Sequence, residues 1–137
     1  MNTADFLGIA TAICPERTAI VFEGKRYAFS QLNERVNRLA NALSKFGVKK
    51  GDRIAMLQVN CNQFVETYFA AARLGAIYVP LNFRARGNEV TYMLDTAETS
   101  ILLVGERYTG LVDSLRSDLI SVRHFKSIES PSIRFIW

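Results

Sequence analysis

The chain has 137 residues, 49% of them hydrophobic and 22% charged, with a net charge of +4. That is enough for one domain, which would bury roughly two-thirds of its unfolded surface on folding, and too little for two. The composition excludes a disordered chain, and no apolar run approaches the roughly 20 residues that cross a bilayer. The positive charge does not point to nucleic acid. Lys25, Arg26, Arg35, Arg38, Lys45, Lys49, Lys50, Arg53, Arg84 and Arg86 are scattered over several elements and mixed with acids, and no basic stripe carries stacking aromatics. An acidic residue before the first apolar run, with no basic cluster, argues against a secretory signal. Cys14 and Cys61 lack metal-ligand spacing, so they are expected to be reduced, partly buried thiols of a cytoplasmic protein.

In chain order, Ala4 to Ile13 reads as a weakly amphipathic helix that Pro15 brings to an end. Thr18–Phe22 and Arg26–Phe29 are β-leaning runs around Glu23-Gly24-Lys25, a hairpin signal in which Gly24 supplies positive φ. Ser30 stands where a helix N-cap is expected. After it Leu32, Val36, Leu39, Ala40, Leu43 and Phe46 recur at three- and four-residue steps as a core face, closed by Gly47.

Arg53–Val59 is a near-continuous apolar strand. Asn62–Leu74 is a helix whose Phe64, Val65, Tyr68, Phe69, Ala71 and Ala72 spread over more than one side, which predicts deep burial. Ile77–Leu81 is the next strand, and the three elements together predict a right-handed βαβ crossover. Asn82–Arg86 reads as a loop, Asn88–Ala97 as a helix, Ile101–Val104 as a buried strand, Glu106–Asp118 as a helix and Ser121–Phe125 as a last strand. The expected fold class is therefore α/β, a mostly parallel sheet with flanking helices and an N-terminal β-hairpin. Residues 127–137, SIESPSIRFIW, lose this pattern and are expected to form a divergent or truncated tail behind a subdomain of residues 1–126.

Three segments resemble a family. YAFSQLNERVNRLANAL, GDRIAMLQVNCNQFVETYFAAARLGAIYVPLN and NFRARGNEVTYMLDTAETSILLV are similar, in that order, to early segments of the adenylate-forming, AMP-dependent acyl-CoA synthetases and ligases. The second carries the Gly-Ala-x-Tyr-Val-Pro-Leu-Asn signature. The resemblance covers about Ala10 to Phe125. It implies an incomplete N-terminal subdomain of that fold and a two-step reaction: a carboxylate attacks the α-phosphate of ATP to give an acyl-adenylate, then a thiol, usually of coenzyme A, displaces AMP. ATP, magnesium and coenzyme A are thereby implied for the complete enzyme, with no cofactor held by this chain.

The family's Ser/Thr/Gly-rich phosphate loop closing in Pro-Lys-Gly, its later Thr-Glu and Thr-Gly-Asp elements and its C-terminal lysine have no counterpart in these residues. No Gly-x-Gly-x-x-Gly, Gly-Lys-Ser/Thr or Gly-x-Ser-x-Gly replaces them, and the single histidine, His124, reads as a surface residue. The expectation is a fragment that is inactive alone, with the remainder of a synthetase or a full-length homologue as partner. The alternative is a non-catalytic binding module or complementing subunit.

Ligands of doubly wound sheets gather beyond the carboxyl ends of the strands. Those ends point to Asn60 and Cys61, to Asn82, Phe83 and Arg84, and to Gly105. No residue is assigned a catalytic role. Asn60 and Asn82 are candidates to hydrogen-bond a substrate or its loops, and Arg84 to meet a phosphate or carboxylate. The competing reading is turn chemistry for both asparagines and an acidic partner for Arg84. Phe64, Tyr68 and Phe69 are read as core rather than as an acyl pocket.

Overall fold

The computed structural model describes residues 1–129. Helix α1 (Thr3–Ile13) starts from a reciprocal cap: Asn2 Oδ1 accepts from the Ala4 N–H, and Asp5 Oδ2 accepts from the Asn2 N–H, both at 2.7 Å. Strands β1 (Thr18–Phe22) and β2 (Lys25–Ala28) form an antiparallel hairpin in which Phe22 pairs with Lys25. The turn is thus two residues long. Glu23 and Gly24 take φ of 48° and 77°, the two positive values that a right-twisted two-residue hairpin requires.

Helix α2 (Phe29–Lys45) begins one residue before the expected Ser30 cap. The strand runs directly into the helix, and the Phe29 and Ser30 N–H groups donate to the Arg17 and Pro15 carbonyls. Gln31 Oε1 turns back to accept from the Ala28 N–H at 2.8 Å. These backbone partners leave no N-cap role for the Ser30 hydroxyl. The expected stripe is buried as predicted at Leu32, Val36, Leu39, Ala40 and Leu43.

A four-stranded parallel sheet follows, in the order β4-β3-β5-β6, built from β3 (Arg53–Leu57), β4 (Ile77–Pro80), β5 (Ile101–Val104) and β6 (His124–Ser127). Helices α3 (Asn62–Leu74), α4 (Gly87–Thr96) and α5 (Thr109–Leu115) connect the strands. The strand period of two divides the core. Ile54, Met56, Ile101 and Leu103 face the layer of α1, α2 and α3, while Ala55, Leu57, Leu102 and Val104 face the layer that includes Val90 and Leu94 of α4 and Val112 of α5. Both faces of the sheet are covered, which is why β3 and β5 read as unbroken apolar runs. Each buried Leu, Ile, Val or Met among them contributes about 1.5–3 kcal/mol of transfer free energy. The fold class is α/β, as the sequence predicts.

The structure departs from the expectations at several local points. The Glu106–Asp118 helix divides into a single 3-10 turn (Glu106–Tyr108) and the short α5. The last strand lies at His124–Ser127, because Arg123 and His124 both donate to the Ser100 carbonyl and set the parallel register from there. His124 is half-buried, its ring 5.6 Å from that of Phe46. Tyr68 and Val65 of α3 are exposed rather than deeply buried; the inward face of that helix belongs to Asn62, Glu66, Thr67, Ala70 and Ala71. Of the residues assigned above to a divergent tail, Ser127 closes β6, Ile128 lies in the core and Glu129 is hydrogen-bonded. Residues 130–137 lie outside the described residues.

Candidate functional site

Strands β4 and β5 flank β3 on opposite sides, and their connecting helices lie on opposite faces of the sheet. The winding therefore reverses beside β3, and the crevice of a doubly wound sheet opens beyond the carboxyl ends of β3 and β5. Here those ends are the Gln58–Cys61 bend and Gly105.

Gln58 dominates this crevice. It is 2% exposed, its Oε1 accepts from the Val59 N–H, and its Nε2 donates to Glu129 Oε1, both at 2.8 Å. Glu129 Oε2 in turn accepts from the Glu106 N–H at 2.8 Å. A side chain at position 105 would put its Cβ 2.4 Å from Gln58 Cδ, so glycine is required for the close approach. The ends of β3 and β5 and the second residue after β6 are thus clasped together through one buried amide and one carboxylate.

Beside the clasp lies a cavity of about 400 Å³, lined by Tyr27, Arg35, Gln58, Cys61, Asn62 and Glu129 among others. The Arg35 guanidinium grips the buried Glu66 carboxylate through two contacts of 2.7 and 3.2 Å, and Asn62 Nδ2 adds a third at 2.8 Å. Burial alone would lower the Arg35 pKa, but its hydrogen bond and charge interaction with Glu66 outweigh this and raise it. Arg35 also lies over the Tyr27 ring at 5.4 Å. This cation is committed to the fold and is not offered to a ligand. Cys61, at the N-cap of α3, is half-buried, and burial pushes its thiol pKa up, the opposite of what a nucleophile needs.

The candidates taken from the sequence fall in separate places. Asn60 is exposed in the bend after β3. Asn82 Oδ1 accepts from the Arg84 N–H at 3.0 Å, and its carbonyl accepts from the Ala85 N–H at 2.9 Å, which is a turn. Asn82 also faces a cavity of about 420 Å³ with Asn88, Glu89 and Tyr92. Arg84 is exposed, with its guanidinium 5.3 Å from the centre of the Phe83 ring; among the described residues no acid holds it. Gln58, Glu129 and the Arg35–Glu66–Asn62 group escaped the sequence reading, which named Gly105 only as a strand end. The available signals were a glutamine closing an apolar strand, a glycine closing the next one, and a glutamate in the middle of an apolar helix.

A family model described as "AMP-binding enzyme" matches residues 10–133. The chain belongs to this family. Within it, crotonobetaine/carnitine–CoA ligase of Salmonella paratyphi B is 33% identical over 108 residues, 75% of this chain and 21% of the relative. A protein described as a long-chain-fatty-acid CoA ligase from Rhodopseudomonas palustris superimposes with a TM-score of 0.91 at 32% identity, over 98% of this chain and 34% of that one. The anthranilate–CoA ligase AuaEII, solved with anthranoyl-AMP, superimposes with a TM-score of 0.89 at 26% identity, over 93% of this chain and 25% of that one. This AMP-binding family member therefore spans about a fifth of the curated relative, and a quarter to a third of the solved chains. Among its described residues, no helix is long and apolar enough to cross a membrane.

Proposed function

We propose that the chain is the N-terminal subdomain of an AMP-dependent acyl-CoA ligase, a structural unit that does not adenylate an acid by itself. The complete enzyme would join a carboxylate to AMP with loss of pyrophosphate and then pass the acyl group to coenzyme A. The observation that carries the reading is the clasped crevice beyond β3 and β5. It stands where a doubly wound sheet would receive a ligand, yet its polar groups are spent on one another and on backbone.

ATP, magnesium and coenzyme A would be held by sequence outside this chain, since no Ser/Thr/Gly-rich loop closing in Pro-Lys-Gly is present to grip a triphosphate. The names of the relatives support a second point. A carnitine-type acid, a long-chain fatty acid and an aromatic acid all appear among proteins that share this unit, so the unit is not where the acid is chosen. Asn60, Asn82 and Arg84 are then loop residues, of which Asn60, in the bend after β3, lies nearest the crevice. A cytoplasmic location fits two thiols without a bridge between them.

The test is ATP–pyrophosphate exchange by the isolated chain with a panel of fatty and aromatic acids. Exchange no faster than the protein-free control is expected, and robust acid-dependent exchange would sink the reading. A second reading, a complementing subunit of a separate synthetase, is favoured by one observation, the open apolar groove beside α3.

A further inference from the structure

A groove of about 800 Å³ runs between α3 and β4, lined by Phe64, Tyr68, Ala72, Ala76, Tyr78 and Pro80, with Lys50 at the end where β4 begins. Helix α3 buries polar groups beside Ala70 and Ala71 and leaves part of its aromatic surface uncovered. Its buried face carries Glu66, Asn62 and Thr67, while Tyr68, 43% exposed, stands on the groove side. The rings beneath are already ordered against one another. Tyr68 meets Phe69 edge-on at 5.2 Å and Tyr78 at 6.5 Å, and Phe64 meets Tyr78 at 6.0 Å. Apolar surface gathered in this way marks a contact.

The edge of β4 limits what the contact can be. Ile77 and Leu81 donate inward, to the Asp52 and Met56 carbonyls. The alternation of the ladder turns Tyr78 and Pro80 outward, and proline has no N–H. An edge with a single outward donor is a poor template for another strand. What fills the groove therefore does so with side chains. A second copy of this chain is a poor fit, because a two-fold contact would set one concave face against another.

The unit keeps its backbone, at a TM-score of 0.91, in a solved chain of which it makes up only 34%. It is thus shaped as it is when twice its own length of further chain accompanies it. We infer that the α3–β4 groove is the seam on which the remaining portion of an AMP-dependent ligase packs, laying apolar side chains over Phe64, Tyr68 and Tyr78 and setting a carboxylate against Lys50. Lys50 is the one charged residue lining the groove among those described. The inference rests on the ligase-subdomain reading and names the partner surface within it.

The test is to co-express the full chain with the portion of the Salmonella relative that lies outside the 108 matched residues, and to measure affinity and amide hydrogen exchange of the purified pair. Protection is expected on α3 and β4. Tyr68→Glu should weaken the pair by roughly tenfold or more, as a charge at the centre of an apolar contact does. Tyr92→Glu, at an exposed position on α4, should leave affinity unchanged. Circular dichroism of each variant alone shows whether it is folded.

Three results would overturn the seam: a soluble pair that never associates, protection on α4 and α5 with affinity indifferent to Tyr68→Glu, or a chain that self-associates through the groove. The second of these would leave the ligase-subdomain reading standing. Acid-dependent exchange by the isolated chain would remove that reading while saying nothing of where the pieces meet.

Discussion

Helices α2 and α3 pack against each other and against the same sheet, yet they do so by opposite means. α2 buries an aliphatic stripe, from Leu32 to Leu43, and exposes Glu34, Arg38 and Lys45. α3 buries a carboxylate and an amide, held by Arg35 reaching across from α2, and turns a tyrosine and a valine outward. The first helix is finished, with its apolar face spent. The second is half of an interface, pinned from within by a polar group so that its aromatic side remains available.

The sharpest way to break this comparison is at the pin. Arg35→Met should destabilise the chain by about 3–5 kcal/mol in urea denaturation, because it strands the Glu66 carboxylate in the interior with Asn62 alone. Arg35→Met/Glu66→Leu should recover most of that loss. If the single and double variants are equally unstable, the pin is only a packing contact. On the other helix, Leu43→Ala should cost about 3 kcal/mol, the ordinary price of a cavity under a fully buried leucine.

At the clasp, Gly105→Ala should cost about 1–3 kcal/mol by forcing Gln58 aside. The same change in a Gln58→Ala background should cost less than half as much. Equal costs in the two backgrounds would show that the glycine is needed for its backbone and not for the approach.

A smaller effect appears at alkaline pH. Burial holds both the Cys61 thiol and the Tyr78 hydroxyl in their neutral forms above their ordinary values of 9.0 and 10.0. The unfolded chain then loses these protons first, so the stability they confer is complete below the ordinary thiol range and declines as pH rises through and beyond it. Urea midpoints should hold steady to about pH 8 and fall beyond the thiol range, with a shallower fall in Tyr78→Phe. Least of all, Tyr68→Ala should cost about 1 kcal/mol, since its ring is half covered and loses its edge contacts with Phe69 and Tyr78. The contrast with Leu43→Ala puts the difference between the two helices in one number.

The same contrast explains what was legible in the sequence. Where burial is hydrophobic, period and composition state it: the α2 stripe, the unbroken runs of β3 and β5, and the Asn62–Leu74 bounds of α3 all follow from residue type. Where burial is polar, they mislead. Glu66 looks like a solvated charge until Arg35, 31 residues earlier, is brought to it. Its neighbours Val65 and Tyr68 then look like core, although the helix has been rotated to expose them. The Ser30 cap failed for a related reason, since carbonyls of the preceding loop took the role a hydroxyl would have played. Gln58, Gly105 and Glu129 could not be joined from the sequence, because 71 residues separate the amide from its carboxylate and only the β3-β5-β6 order brings them together. Asn82 was legible as a turn residue, and the structure gives it that bond.

The central claim is that the unit supplies scaffold and leaves the chemistry and the choice of acid to the rest of a ligase. Its most direct test is a transplant, in which this chain replaces the 108-residue matching segment of the Salmonella crotonobetaine/carnitine–CoA ligase and adenylation is followed over a panel of acids. A folded chimera that adenylates with the host's own order of preference is the predicted result. A chimera whose preference moves to a different class of acid would contradict the claim.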